Sequence, residues 1–140
     1  MRGVSEVTPK HVLVVDDDPA ILDVVQRALA SEGVRVSTAR RVSLARDVLN
    51  RQTVDLVITD ARIPGETGMS LAQAAGERGI AAIVMSGDIE WATEHGIAPE
   101  QYLAKPFDLG HLQRLVERYL KEGEAGSPPS TLTSPAGGSR

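Results

Sequence analysis

Five short apolar segments, separated by longer amphipathic ones, restrict the fold of this chain more than any other feature. They are HVLVVD (11–16), VRVSTA (34–39), DLVITD (55–60), AAIVMS (81–86) and QYLAK (101–105). Each has the length of a strand, and the stretches between them are long enough for a helix, so the rhythm predicts an α/β fold around a parallel sheet.

The intervening segments carry helical periodicity. Ile21, Leu22, Val25, Ala28 and Leu29 are expected on one helical face, and Leu44, Ala45, Val48 and Leu49 on another. The clearest helix has Leu109, Leu112, Leu115, Val116, Tyr119 and Leu120 at helical spacing, with Asp108 placed to cap its start. Helices near 68–78 and 88–95 are weaker, because Gly76 and Gly96 interrupt or end them.

Strand composition predicts strand order. Central parallel strands are covered on both faces and read as continuous apolar runs, as the first, third and fourth segments do. The second alternates Val34, Arg35, Val36 and Ser37, and the fifth is short, so both are expected at the edges. A doubly wound five-stranded sheet of order 2-1-3-4-5 satisfies this and places a topological switch point beside the first strand, where ligands tend to bind at the carboxyl ends.

The 140 residues fit one domain. Residues 1–9 are expected to be a flexible extension and 10–122 the folded unit. The Gly, Ser, Pro and Thr-rich run from 123 to 140 has no periodicity and reads as a disordered tail. Aromatic residues make up only 3%, so the core must be aliphatic. The absence of cysteine excludes thiolate metal sites and cysteine nucleophiles, and a net charge of -4 offers no basic footprint for nucleic acid. No apolar run in MRGVSEVTPK could act as a signal peptide or membrane span, so a cytoplasmic location is expected.

The strand ends converge chemically. The first segment ends in Asp16 and Asp17, the third in Asp60, the fourth in Ser86 and the fifth in Lys105, all at one edge of the predicted sheet. Asp18, directly before Pro19, is explained as a helix N-cap with proline at the first helical position. Asp16 and Asp17 are not needed as caps. Two carboxylates about 4 Å apart repel by on the order of 4 kcal/mol at an effective dielectric near 20, so a positive group belongs among them. Only oxygen donors are at hand, which fits a hard divalent ion such as Mg2+. Lys105 can pair with the acids and then bind an incoming phosphoryl oxygen.

With those residues in place, the chain resembles the receiver domains of two-component response regulators over about 10 to 122. The resemblance rests on VLVVDDDP, on VDLVITDARIPGETGM with Pro64 and Gly68 after the acceptor position, on IVMSG and on YLAKPF. It implies a flavodoxin-like (βα)5 fold with Asp60 as phosphoacceptor, Asp17 as a direct magnesium ligand and Asp16 as a ligand through water. It further implies a ligand in the backbone carbonyl of Arg62, a phosphoryl-bonding hydroxyl in Ser86, the family's amine in Lys105 before a cis Pro106, and an aromatic switch in Tyr102. Ile63 stands where methionine is common, Ser86 where threonine is commoner, and the span from Ser86 to Lys105 is short by about three residues, nearly a helical turn.

The implied function is phosphoryl transfer from a sensor histidine kinase, or exchange with a histidine phosphotransfer protein, onto Asp60, followed by a change in the face formed by the fourth helix and fifth strand. Ser86 is expected to move inward and vacate space that Tyr102 rotates to fill. His11, His95 and His111 are read as structural or surface residues, and Trp91 as packing on the sheet. The downstream partner is an unidentified protein; neither nucleic acid nor membrane is expected as a partner of this chain, and a homodimer is compatible with the sequence. Two other readings compete: a pseudo-receiver that signals without phosphorylation, and a small phosphatase using Asp60. The latter lacks the second acid usual two residues after the nucleophile, where Arg62 sits, so the chain is not expected to be an enzyme.

Overall fold

A computed structural model of the chain describes residues 9–63 and 65–124. Of the segments read above as terminal extensions, 1–8 and 125–140 lie outside the described residues, as does Pro64 of the quoted motif. In chain order the elements are β1 (His11–Val15), α1 (Pro19–Ala30), β2 (Arg35–Ala39), α2 (Val42–Arg51), β3 (Leu56–Asp60), β4 (Arg62–Ile63), β5 (Glu66–Thr67), α3 (Gly68–Glu77), β6 (Ala81–Ser86), α4 (Ile89–Glu94), β7 (Tyr102–Ala104) and α5 (Leu109–Glu124). A 3-10 turn at Pro99–Gln101 leads into β7.

The main sheet runs β2-β1-β3-β6-β7 with every neighbouring pair parallel, which is the expected 2-1-3-4-5 order. β1, β3 and β6 are the apolar central strands, and the alternating β2 and the short β7 are the edges. Alternate residues of the central strands feed two separate cores. Val12, Val14, Leu56, Ile58, Ile83 and Met85 pack with the apolar faces of α1 and α5. Leu13, Val15, Val57, Ala82 and Val84 pack on the other side with α2, α3 and α4. Burying both faces is what forces the continuous apolar runs seen in the sequence.

Some details differ from the expectations. Leu44 is 50% exposed, because α2 turns its Val42, Ala45 and Leu49 stripe inward and leaves Leu44 beside it. Leu109 is also 39% exposed, lying in the first turn of α5 before the buried stripe begins at Leu112. α5 runs to Glu124, two residues past the boundary read from composition. The antiparallel β4–β5 pair has two residues on each side and leaves no period that a sequence could display. α4 has six residues, in keeping with the short span around it.

Asp18 caps α1 as expected, its side chain accepting from the Ala20 N–H at 2.9 Å with Pro19 at the first helical position. Asp18→Ala should therefore lower stability by about 1 kcal/mol, read as a shift in the urea midpoint with an unchanged slope.

Candidate functional site

The parallel register brings the strand ends level. Val15 lies beside Thr59, Asp60 beside Met85, and Ser86 beside Ala104. Backbone hydrogen bonds continue one step further, from Asp16 to Ala39, Ala61 to Met85 and Lys105 to Ser86. Asp16, Asp17, Asp60, Ser86 and Lys105 thus meet at one edge of the sheet, where the strand order reverses.

Asp16, Asp17 and Asp60 each place a carboxylate oxygen within 4.8 Å of the others. Their environments differ. Asp16 is fully buried, Asp60 is half-buried and Asp17 is exposed. The Lys105 ammonium bridges two of them, donating to Asp16 Oδ2 at 2.7 Å and to Asp60 Oδ2 at 3.1 Å. The positive group required by the charge argument is, in this structure, Lys105. Asp16 also has a local task, its Oδ1 accepting from the Asp18 N–H at 2.9 Å.

Burial pushes the Asp16 carboxyl above the ordinary aspartate range, and the hydrogen bonds from Lys105 and the Asp18 backbone offset only part of this. Burial also works against a charged Lys105, but its hydrogen bonds to Asp16 and Asp60 outweigh it and hold the pKa above that of a free lysine. Lys105 is therefore an ammonium at neutral pH. The donor set suits magnesium: three oxygen ligands, no sulfur or imidazole, and one exposed carboxylate where the ion can keep its waters.

Around this centre, the Ser86 hydroxyl is nearly buried and accepts from the Asp88 N–H at 3.0 Å. The Arg62 N–H donates to Asp60 Oδ1 at 3.3 Å, which holds the Arg62 backbone against the Asp60 carboxylate. The Arg62 guanidinium faces Asp88 at 3.7 Å, an exposed pair worth little to stability. Tyr102 is half-buried against the core, and its hydroxyl donates to the Ser86 carbonyl at 2.8 Å. Lys105 precedes Pro106 through a cis peptide bond.

The remaining residues singled out in the sequence lie away from this chemistry. His11 is buried, with Nδ1 2.7 Å from the Thr53 carbonyl and Nε2 2.7 Å from Ser37 Oγ, a structural position. His111 is exposed, and His95 stacks on Trp91 with ring centroids 4.2 Å apart. Trp91 packs partly against the core as expected.

Two contributors escaped the sequence reading. Arg40 directs its guanidinium at the Asp17 carbonyl from 3.3 and 3.4 Å. It follows the end of β2 directly, so the rule that located the acids could have located it. Gly68 begins α3 against β3, where a Cβ would fall 1.9 Å from the Asp60 carbonyl oxygen and 2.8 Å from Thr59 Oγ1. The motif marked Gly68 without giving that reason.

Comparison with known proteins agrees with this geometry. Residues 12–117 match the family model of the response regulator receiver domain. The DNA-binding transcriptional regulator NtrC of Azospirillum brasilense is 39% identical over 132 residues, covering 90% of this chain and 27% of the relative. The transcriptional regulatory protein GlrR of Escherichia coli is 35% identical over 130 residues, covering 88% of this chain and 28% of the relative. The chain therefore spans about a quarter of the length of these curated relatives. Among solved structures, the signal receiver domain of an HD domain-containing protein from Pseudomonas fluorescens Pf-5 superposes with a TM-score of 0.75 at 27% identity, covering 86% of this chain and 93% of that one.

Proposed function

Because this chain belongs to the response regulator receiver domain family, we propose that it accepts a phosphoryl group on Asp60, with a histidine kinase or histidine phosphotransfer protein as donor. The observation that carries this reading is the Lys105 ammonium shared between Asp16 and Asp60 inside a three-carboxylate cluster. One Asp60 oxygen attacks phosphorus, the P–N bond of the donor's phosphohistidine breaks, and its electron pair stays on the imidazole nitrogen. No general base is needed, since the acceptor is already an anion. Lys105 turns from Asp60 toward a transferred oxygen, and the Ser86 hydroxyl donates to another. Asp16, Asp17, Asp60 and the Arg62 carbonyl would hold Mg2+, which when bound neutralises charge on the phosphoryl oxygens. Asp60 is modified once rather than turned over, so the chain acts as a switch and not as an enzyme.

The switch would work through Ser86. Its hydroxyl is engaged by the Asp88 N–H and its carbonyl by Tyr102, so drawing Ser86 toward a phosphoryl group alters both contacts. α4 and β7, which carry the neighbouring residues, form the face a downstream protein would read. A cytoplasmic setting follows from a kinase donor; among the described residues no helix is long and apolar enough to cross a membrane.

Adding magnesium with beryllofluoride to the 15N-labelled chain should shift the amides of Asp60, Ser86, Gly87 and Tyr102. Unchanged spectra would favour an interaction module that signals without phosphorylation. Magnesium affinity alone, measured by calorimetry, should fall as pH is lowered through the raised pKa of Asp16, because the ion needs that carboxylate ionised. The loss should begin at a higher pH than for an ordinary aspartate. Affinity constant down to the usual carboxylate range would remove Asp16 from the ligand set.

A further inference from the structure

We propose that Arg40 is a positioning residue for the cation site, a role that rests on the phosphoacceptor reading only for the ion itself. By holding the Asp17 carbonyl, Arg40 aims the Asp17 carboxylate at the ion.

The three acids of the cluster are held unequally. Asp16 is fixed by the Lys105 ammonium at 2.7 Å and by the Asp18 N–H at 2.9 Å. Asp60 is fixed by the same ammonium at 3.1 Å and by the Arg62 N–H at 3.3 Å. Asp17 is the exposed member, and among the described residues no hydrogen-bond donor meets its carboxylate. Its direction therefore comes from its backbone.

That backbone is gripped at successive points. The Asp16 N–H donates to the Ala39 carbonyl at 3.1 Å, which ties the end of β1 to the end of β2. The peptide unit joining Asp17 to Asp18 follows. Its N–H is taken by Asp16 Oδ1, and its carbonyl oxygen by the Arg40 guanidinium, with Nη2 at 3.3 Å and Nε at 3.4 Å. A peptide unit is planar, so a partner at each pole fixes its rotation, and that rotation sets the torsion at the Asp17 Cα from which the carboxylate projects. The two Arg40 contacts are long for hydrogen bonds, so their weight is geometric rather than energetic. They come from two nitrogens of one planar fork, which a single lysine ammonium does not reproduce. Partners that orient a ligand in this way tune metal affinity without touching the ion.

The fold puts Arg40 there. β1 and β2 run in register from His11 beside Arg35 to Val15 beside Ala39, so the next step sets Arg40 level with Asp16. Arg41, one residue on, is the N-cap of α2, is exposed, and among the described residues makes no bond to the loop between β1 and α1. Two like charges thus stand side by side, and only one of them holds the acid loop.

Charge and position act on the ion in opposite directions. A guanidinium near the site repels Mg2+, so removing it would tighten binding if Arg40 acted by charge alone. Removal weakens binding if Arg40 acts by position. The test is magnesium affinity of the full chain by calorimetry, at low salt and at about 0.5 M KCl, where exposed charges are screened. Arg40→Met should lose about fivefold at both salt concentrations, short of the cost of a buried orienting partner because Arg40 is exposed. Arg40→Lys, which keeps the charge, should lose nearly as much, and Arg41→Met should lose nothing. In the metal-free chain, Arg40→Met should speed hydrogen exchange at the Asp18 amide while Tm stays level. Unchanged or tighter binding by Arg40→Met, with the native chain binding magnesium, would overturn the proposal and leave the phosphoacceptor reading standing. Equal weakening by Arg41→Met, or a fall in Tm that accounts for the lost affinity, would overturn it in favour of a general effect on the loop. A native chain that binds no magnesium would sink the proposal together with the metal site it serves.

Discussion

Asp60→Asn should take up no phosphoryl group from acetyl phosphate under conditions in which the native chain gains one, as read by intact mass. Asparagine keeps the shape of the side chain but loses the anionic oxygen that attacks phosphorus, and Asp16, fully buried and held by Lys105, cannot replace it. The fold should survive. Lys105 keeps its 2.7 Å partner in Asp16, and removing the Asp60 charge relieves a repulsion that Asp16 now feels. Thermal stability should therefore stay level or rise slightly while labelling falls to background. Equal labelling of both proteins would sink the assignment of Asp60.

Gly68→Ala should have the largest effect on stability, although it adds a single methyl group. The Cβ would stand 1.9 Å from the Asp60 carbonyl oxygen and 2.9 Å from its carbon, so backbone rather than a flexible side chain must yield. The Gly68 N–H also donates to the Ala61 carbonyl at 3.0 Å, which leaves α3 no freedom to lift away without losing that bond. A loss of about 3 kcal/mol is expected, at the upper end for overpacking, with Tm lower by roughly 10 to 20 °C. The same displacement would move Asp60, so magnesium affinity should fall with stability, unlike in Asp18→Ala, where only the cap is lost. A variant with unchanged Tm would mean that α3 does not approach β3 as closely as it does in this structure.

These two positions differ in how legible they were. Asp60 could be read from the chain because strand ends in a parallel sheet share an edge, and an acid that stops an apolar run is conspicuous. Asp16, Asp17, Ser86 and Lys105 were found in the same way. Gly68 carried a motif but no visible cause, since nothing in a linear pattern shows that the first turn of α3 rests on the Asp60 carbonyl. Arg40 stood at a strand end and could have been located there, but its bond to the Asp17 carbonyl, like that from Tyr102 to Ser86, depends on the direction of a side chain toward the neighbouring strand. Leu44 and Leu109 were misplaced because apolar periodicity sets the width of a helical face but not its rotation against the sheet.

By itself the sequence determined the number and order of the main strands, the two-sided core, the cap of α1 and the set of groups gathered at one sheet edge. Those follow from periods of 2 and 3.6 residues and from the covering of both faces of a parallel sheet, which are local or topological properties. Only the tertiary structure decided which acid is buried, that Lys105 holds Asp16 and Asp60 together, and that the Tyr102 hydroxyl bonds the Ser86 carbonyl. Burial, ion pairing and close approach are set by residues far apart in the chain meeting at distances of a few ångströms, and no spacing along the chain encodes those distances.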